Sequence, residues 1–93
     1  MNKIVMIKIP GCPYCANARK AFEDFRSDPR FADMNVVEID ETTQPELAKP
    51  YGGDYYYVPS LFVNGRKCFE AKPGMSYQAI KNGVEKALEA AIL

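Results

Sequence analysis

Two cysteines near the beginning of the chain have the residue type and spacing to do chemistry. Cys12 and Cys15 are separated by Pro13 and Tyr14. Thiols at this spacing exchange electrons as a dithiol–disulfide pair, bind a metal ion as thiolates, or pack as small apolar side chains. Each of these three hypotheses makes a different demand on the rest of the sequence.

The metal hypothesis needs ligands that this chain does not supply by itself. A zinc site or an iron–sulfur cluster commonly adds a second cysteine pair or histidines to the first pair. The sequence has no histidine and one further cysteine, Cys68. A metal or iron–sulfur carrier that uses Cys12 and Cys15 in an oligomer therefore stays open as an alternative. Simple packing leaves the spacing of the pair unexplained.

The segments beside the cysteine pair place it between a strand and a helix. KIVMIKI, at Lys3–Ile9, is a β-branched run typical of a strand buried on both faces. The residues from Pro13 to about Arg26 favour a helix, and a proline suits the first position of a helix. A cysteine pair in this context is typical of a redox site.

The two cysteines are predicted to be unequal. Cys12 lies at the predicted helix N-terminus, where free N–H groups and the helix dipole lower a thiol pKa from about 8.5 to roughly 3.5–7.5. Cys15 begins an apolar helical stripe that includes Phe22 and Phe25, so we expect it to face the core. An exposed nucleophile with a shielded resolving thiol is the asymmetry that thiol–disulfide exchange requires.

The middle of the chain predicts a second strand, a short helix and a hairpin. Asn35–Asp40 reads as a strand, and Thr43 with Glu46 forms a capping-box pattern ahead of a helix. Two apolar runs flank an Asn-Gly dipeptide and predict a β-hairpin, with strands at Ser60–Val63 and Arg66–Glu70.

The end of the chain predicts a last helix from an N-cap at Ser76 to Leu93. An apolar stripe at four-residue spacing supports it: Ile80, Val84, Leu88 and Ile92. Gly83 interrupts this segment at a small cost in helix propensity. The complete order of elements is β-α-β-α-β-β-α, which favours a small mixed sheet with helices on its faces.

Composition limits the classes of function. Ninety-three residues suit a single domain spanning 1–93, and 47% of them are hydrophobic. Twelve basic residues balance twelve acidic ones, which argues against a nucleic-acid or membrane-surface partner. The apolar run at the N-terminus is too short for a secretory signal or a membrane span. We therefore expect a cytoplasmic protein, and we expect it to be a monomer.

The cysteine segment resembles a known family. Cys12-Pro13-Tyr14-Cys15 is similar to the dithiol active site of glutaredoxins, which belong to the thioredoxin superfamily. Val58-Pro59 resembles the family's cis-proline segment, and FVNG at Phe62–Gly65 resembles its hairpin turn. The resemblance covers essentially the whole chain. It implies an α/β thioredoxin fold, a four-stranded mixed sheet with helices on both faces.

The resemblance also implies roles for individual residues. Cys12 would be the nucleophile and Cys15 the resolving thiol of a dithiol oxidoreductase with no bound cofactor. A cis Pro59 would leave the backbone of Val58 free to pair with an extended substrate. The substrates would be protein disulfides or glutathione mixed disulfides. The implied substrate-binding residues are Pro13, Tyr14, Tyr57, Val58 and Pro59.

The reductant stays open between glutathione and thioredoxin reductase. Members of the family that use glutathione often place a Lys or Arg three residues before the first cysteine, where this chain has Ile9. Lys8 is one position off, and strand alternation is expected to turn it to the other face. An acidic pair that such members carry after the hairpin is also absent. The alternative is a redoxin that is itself reduced by thioredoxin reductase and that in turn reduces a dedicated enzyme such as ribonucleotide reductase.

The sequence leaves two interpretations open for the three tyrosines before Pro59 and two for Cys68. Tyr55, Tyr56 and Tyr57 precede Pro59, and alternate facing leaves at least one of them outside the core. That residue either borders the active-site groove and helps recognise a protein disulfide or covers the edge of the core. Cys68 is expected to be a small, half-buried strand residue, with a regulatory thiol as the alternative.

Overall fold

The elements follow the predicted order in a computed structural model that describes residues 1–93. The strands and α-helices are β1 (Lys3–Lys8), α1 (Pro13–Phe25), β2 (Asn35–Asp40), α2 (Pro45–Ala48), β3 (Ser60–Val63), β4 (Arg66–Glu70) and α3 (Tyr77–Ala91). Short 3-10 helices at Pro29–Phe31 and Lys49–Tyr51 follow α1 and α2. None of the helices is both long enough and apolar enough to cross a membrane.

The four strands form one mixed sheet in the order β2-β1-β3-β4. β1 pairs with β2 in parallel, whereas the β1–β3 and β3–β4 pairs are antiparallel. β1 and β3 are therefore the central strands. The residues from Ile4 to Ile7 are at most 4% exposed, which confirms β1 as a strand that is covered on both faces.

Helices cover both faces of the sheet because the apolar side chains of β1 alternate. Ile4 and Met6 point into the main core beneath α1 and α3. Val5 and Ile7 point into a smaller cluster on the other face, where Ala48 of α2 closes it. The parallel β1–α1–β2 unit puts the end of β1 and the beginning of α1 at one edge of the molecule.

The hairpin prediction is confirmed, together with the type of its turn. Asn64 and Gly65 both have positive φ angles, 52° and 78°. Positive φ at both central residues is the signature of a type I′ turn, whose twist matches that of the paired strands. The turn sets the pairing of Val63 with Arg66, and an irregularity between Leu61 and Phe62 then shifts the register by one residue, which places Ser60 opposite Glu70.

The capping-box prediction at Thr43 and Glu46 is wrong. α2 begins at Pro45, with Gln44 as an N-cap residue that makes no side-chain capping bond. The preceding turn is held instead by Asp40, whose Oδ1 accepts hydrogen bonds from the N–H and the hydroxyl of Thr42. Because an aspartate can close a turn on its own backbone, the local pattern supports a turn that competes with the capping box.

The final helix is confirmed, but it ends before the predicted Leu93. Ser76 Oγ accepts a hydrogen bond from the Ala79 N–H at 3.1 Å, as an N-cap residue does. The helix ends at Ala91, and Ile92 lies outside it with 45% of its surface exposed. Including Ile92 in the apolar stripe is therefore wrong, because Ile92 is the C-cap residue and the helical stripe ends with the helix.

Gly83 is a packing requirement of α3. A Cβ atom built at this glycine overlaps the ring of Phe69, which comes from β4. Gly83 is buried, and the Phe69 ring packs against the main core. Helix propensity alone disfavours a glycine here by about 1 kcal/mol, so the close approach of the ring accounts for its presence.

We expect Gly83→Ala to destabilise the protein by about 1–2 kcal/mol, since overpacking outweighs the gain in helix propensity. Urea denaturation measures the change. Phe69→Ala is the matched background, because it removes the ring that the new methyl group would meet. In that background Gly83→Ala should be neutral or stabilising. An equal loss in both backgrounds would show that the ring is not the cause.

Candidate active site

Cys12 and Cys15 form a disulfide at the beginning of α1. Their Cα atoms lie 5.2 Å apart, within the usual range for a disulfide. Cys12 is the N-cap residue of the helix, with an extended backbone, and its Sγ accepts a hydrogen bond from the Cys15 N–H at 3.1 Å. The predicted placement of Cys12 at the helix N-terminus is confirmed, and Pro13 occupies the first helical position.

The two sulfur atoms differ in exposure, as predicted. Cys15 retains only 2% of its accessible surface, whereas Cys12 is half-buried. Ala18 and Phe22, which share the stripe of Cys15, are buried in the main core. Cys12 is therefore accessible from solvent, whereas Cys15 is shielded from it.

The cis-proline segment lies against the cysteine pair, as predicted. The Val58–Pro59 peptide is cis, and Pro59 is among the fully buried residues. The carbonyl oxygen of Val58 lies 3.9 Å from the Sγ of Cys12. No hydrogen bond occupies the N–H of Val58. A polypeptide alongside Cys12 would thus find a free backbone donor on Val58.

The other predicted substrate-binding residues surround the pair less closely. Pro13 is exposed beside Cys12 and lines the same surface depression. Tyr14 points elsewhere: it packs against the main core, and its hydroxyl accepts a hydrogen bond from the Gly74 N–H at 2.7 Å. Tyr57 is 39% exposed. The substrate-binding roles of Tyr14 and Tyr57 stay predictions.

A depression of about 360 Å³ runs past the cysteines along the end of β1 and the first turns of α1. Lys8 and Ile9 both line it. The prediction that Lys8 turns away from the cysteine pair is therefore wrong. β1 ends at Lys8, so the alternation of side chains that holds within a strand does not continue into the loop.

Glu38 pairs with the basic side chains of this depression and offsets one of their two positive charges. Its carboxylate accepts two hydrogen bonds from the Arg19 guanidinium, at 2.7 and 3.0 Å, and lies 3.8 Å from Lys8 Nζ. The hydrogen bonds from Arg19 lower the pKa of Glu38, although partial burial acts in the opposite direction. The three side chains form an ion-pair network beside Cys12. The sequence did not predict this network.

Glu70 holds the segment that precedes Val58. Its Oε2 accepts hydrogen bonds from the N–H groups of Tyr56 and Tyr57 at 2.8 and 2.7 Å, and its Oε1 accepts one from Lys67. Burial raises the pKa of Glu70, but these hydrogen bonds outweigh it and bring the pKa down to about 2. The sequence did not predict this role for Glu70, because the Asn64-Gly65 turn does not specify the register shift that sets Glu70 opposite Ser60.

The three consecutive tyrosines divide into two groups. Tyr55 is half-buried against Phe62, with ring centroids 6.2 Å apart, and its hydroxyl donates to Glu41. Burial and this hydrogen bond raise the pKa of Tyr55 to about 12. Tyr56 is 83% exposed, and its ring meets the Tyr57 ring edge-on. Tyr55 therefore covers the edge of the smaller core cluster, and the other two face outward.

Cys68 lies away from the redox pair. It is a half-buried, free thiol on β4, as predicted, and its Sγ is 3.6 Å from the Arg66 carbonyl oxygen. No group of three or more His, Cys, Asp or Glu side chains is placed to hold a metal ion. A metal bound through Cys12 and Cys15 would require ligands from outside this chain.

Comparison with known proteins relates this arrangement to a family. Residues 4–68 match the family model described as Glutaredoxin, a range that includes both cysteines and the cis-proline. Mitochondrial glutaredoxin-2 of Pongo abelii is 33% identical over 64 residues, which cover 69% of this chain and 38% of that protein. The chain thus spans well under half the length of that relative.

Two further similarities extend over more of the molecule. A protein described as Probable Thioredoxin, from Methanothermobacter marburgensis, is 31% identical over 86 residues, covering 89% of this chain and 96% of that protein. The crystal structure of Trxlp from Edwardsiella tarda EIB202 has a TM-score of 0.61 at 17% identity, covering 88% of this chain and 80% of that one. The predicted thioredoxin fold is confirmed, and this chain belongs to the glutaredoxin family.

Proposed function

We propose that the protein is a dithiol thiol–disulfide oxidoreductase that reduces protein disulfides through Cys12 and Cys15. The observation that carries the proposal is the disulfide between a half-exposed N-cap cysteine and a cysteine that is 2% exposed. This arrangement lets one sulfur react with a substrate while the other waits behind it. Membership of the glutaredoxin family supports the same chemistry.

The proposed cycle transfers two electrons and two protons. The Cys12 thiolate attacks one sulfur of the substrate disulfide, forming a mixed disulfide and releasing the other sulfur as a thiolate that takes up a proton. Cys15 then loses its proton and attacks Cys12 Sγ. The Cys12–Cys15 disulfide forms, and the second substrate sulfur departs as a thiolate and is protonated. An external reductant must restore the dithiol.

The helix N-terminus and the cis-proline segment contribute to the first step. The Cys15 N–H already donates to Cys12 Sγ, and the same donor would stabilise negative charge on that sulfur. The free N–H of Val58 can bind the backbone of an extended substrate beside the reacting sulfur. No bound cofactor takes part in this proposal.

A second candidate concerns the electron donor. Glutathione carries carboxylates that basic side chains would have to bind, and the basic side chains beside Cys12 are already paired with Glu38. This pairing favours a redoxin that thioredoxin reductase reduces, acting on one dedicated enzyme. The similarity to a protein described as Probable Thioredoxin over almost its whole length supports the same candidate.

Coupled turnover distinguishes the two donors. We expect NADPH oxidation with a protein-disulfide substrate to be faster with thioredoxin reductase than with glutathione and glutathione reductase. Glu38→Gln should then raise the glutathione-coupled rate, because it removes the negative charge that pairs with Lys8 and Arg19 and offsets one of their two positive charges. A higher wild-type rate with glutathione would identify glutathione as the donor. Turnover with neither system and no reduction of the substrate by the pre-reduced protein would contradict the proposed function.

A further inference from the structure

Glu70 makes backbone contacts that an exposed ion pair would not explain. Its side chain is 12% exposed, and one carboxylate oxygen accepts the N–H groups of two consecutive residues, Tyr56 and Tyr57. Proteins use successive backbone N–H groups that converge on one point to bind anions. Here the anion comes from the protein itself, from the end of β4.

The same segment is held from the other side. The Ser60 hydroxyl donates to the carbonyl oxygen of Tyr57 at 2.7 Å, and Ser60 is fully buried. Tyr57 is therefore fixed at both its N–H and its C=O. The next residue, Val58, keeps an unbonded N–H and has its carbonyl oxygen 3.9 Å from Cys12 Sγ. The protein secures the peptide group before Val58 and leaves the backbone of Val58 available.

We infer that Glu70 is a positioning residue for substrate binding. Its carboxylate holds the Tyr56–Tyr57 backbone so that the free N–H of Val58 is oriented to pair with the extended chain of a polypeptide disulfide beside Cys12. The inference rests on the proposed function, which it deepens by assigning a residue that selects peptide-bearing disulfides over small ones.

The expected effect of removing Glu70 on substrate affinity follows from the fraction of molecules in which the Tyr56–Tyr57 backbone is correctly oriented. Two charge-assisted hydrogen bonds hold it, and their loss lets the segment sample other conformations. The apparent affinity for a ligand falls in proportion to the fraction of the protein in the binding-competent conformation. The attack of sulfur on sulfur does not use the Val58 backbone, so the maximal rate should change little.

Single-turnover kinetics with two substrates tests the inference. The pre-reduced protein is mixed with increasing excesses of a short peptide closed by a disulfide, or of hydroxyethyl disulfide, which has no peptide groups. The reaction is quenched with acid and the free thiols are alkylated and counted by mass spectrometry. This design needs no reductase, so it does not depend on which donor serves the protein.

We expect Glu70→Ala to raise the half-saturating peptide concentration about tenfold, with the maximal rate unchanged within about twofold. Glu70→Gln should raise it by about threefold, because the amide oxygen still accepts the two N–H bonds without the charge. The rates with hydroxyethyl disulfide should match those of the wild type for both variants. The split between the two substrates is a result that a general loss of structure would not produce.

Glu23→Gln is the matched control. Glu23 pairs with Arg26 at the same i,i+3 spacing as the Lys67–Glu70 pair, but it is exposed and binds no backbone N–H. It should behave as the wild type. Circular dichroism establishes folding, and Glu70→Gln carries the test if Glu70→Ala does not fold.

Several outcomes would overturn the inference. Wild-type half-saturation in the folded Glu70 variants, or equal losses with both substrates, would remove the positioning role and leave the proposed function intact. If the wild type reduces hydroxyethyl disulfide but not the peptide, the positioning role is removed and only the dithiol exchange of the proposed function is retained. If the wild type reduces neither substrate, the proposed function itself fails, and the inference fails with it.

Discussion

Cys12→Ser is expected to lower the rate of disulfide reduction by at least on the order of a thousandfold, the scale seen when a covalent nucleophile is removed. A serine hydroxyl keeps its proton at neutral pH and cannot form the mixed disulfide. Single-turnover reduction of the peptide disulfide by pre-reduced protein measures the loss.

The fold should survive this substitution, which makes the result interpretable. Serine is among the preferred N-cap residues, so the beginning of α1 keeps a side-chain acceptor for the Cys15 N–H. Cys68→Ser is the matched control, because it also exchanges a thiol for a hydroxyl but lies on β4, away from the pair. It should retain the wild-type rate. A Cys12→Ser variant that still reduces the substrate would show that another group is the nucleophile.

Cys15→Ser is expected to stop the cycle halfway, with one substrate molecule attached to each protein molecule. Cys12 can still attack, but no thiol remains beside it to release the substrate. In the wild type the Cα atoms of the pair lie 5.2 Å apart, which allows the second attack without a large movement. Intact mass spectrometry under non-reducing conditions measures the trapped species.

Two companion variants locate the attached substrate. In Cys15→Ser combined with Cys68→Ser the adduct should persist, whereas Cys12→Ser combined with Cys15→Ser should give none. An adduct that disappears with Cys68 would place the reaction on the wrong sulfur. Release of the substrate by Cys15→Ser at the wild-type rate would contradict the resolving role of Cys15.

These two variants test different halves of one local arrangement. The attacking role of Cys12 depends on access and on the donors of the helix N-terminus. The resolving role of Cys15 depends on burial, because a shielded thiol does not react with substrates on its own account. Both properties arise from the offset of three residues at the beginning of a helix, which puts one sulfur at the cap and the other on the inner face.

The local part of this site could be predicted because its determinants are close in sequence. Three determinants lie between Lys3 and Phe22: the strand before the pair, the proline at the first helical position and the apolar stripe that begins at Cys15. The hairpin was predictable for the same reason, since Asn64-Gly65 by itself specifies the turn. The cis-proline was anticipated only through the resemblance to glutaredoxins.

The wrong predictions concern places where an element ends. Lys8 and Ile9 were assigned to opposite faces by strand alternation, although the strand ends at Lys8. Ile92 was assigned by a helical stripe, although the helix ends at Ala91. Thr43 and Glu46 fit a capping pattern that a competing turn at Asp40 displaced. At such boundaries the periodicity of an element does not show where the element stops, and a second local pattern can take over, as the turn at Asp40 does.

The sequence by itself determined the reactive pair, the unequal burial of its cysteines and the order of the elements, because periodicity and capping act over a few residues. Only the tertiary structure decided what surrounds the pair. Arg19 meets Glu38 across 19 residues, Glu70 reaches Tyr57 across 13, and the Phe69 ring requires a glycine at position 83 of α3. These contacts depend on how the sheet brings β4, β2 and the helices together. No local sequence pattern specifies which residues meet across such separations in the chain. The reactivity proposed for Cys12 is thus determined by a short segment, whereas the side chains that we propose to select its partners are brought near it only by folding.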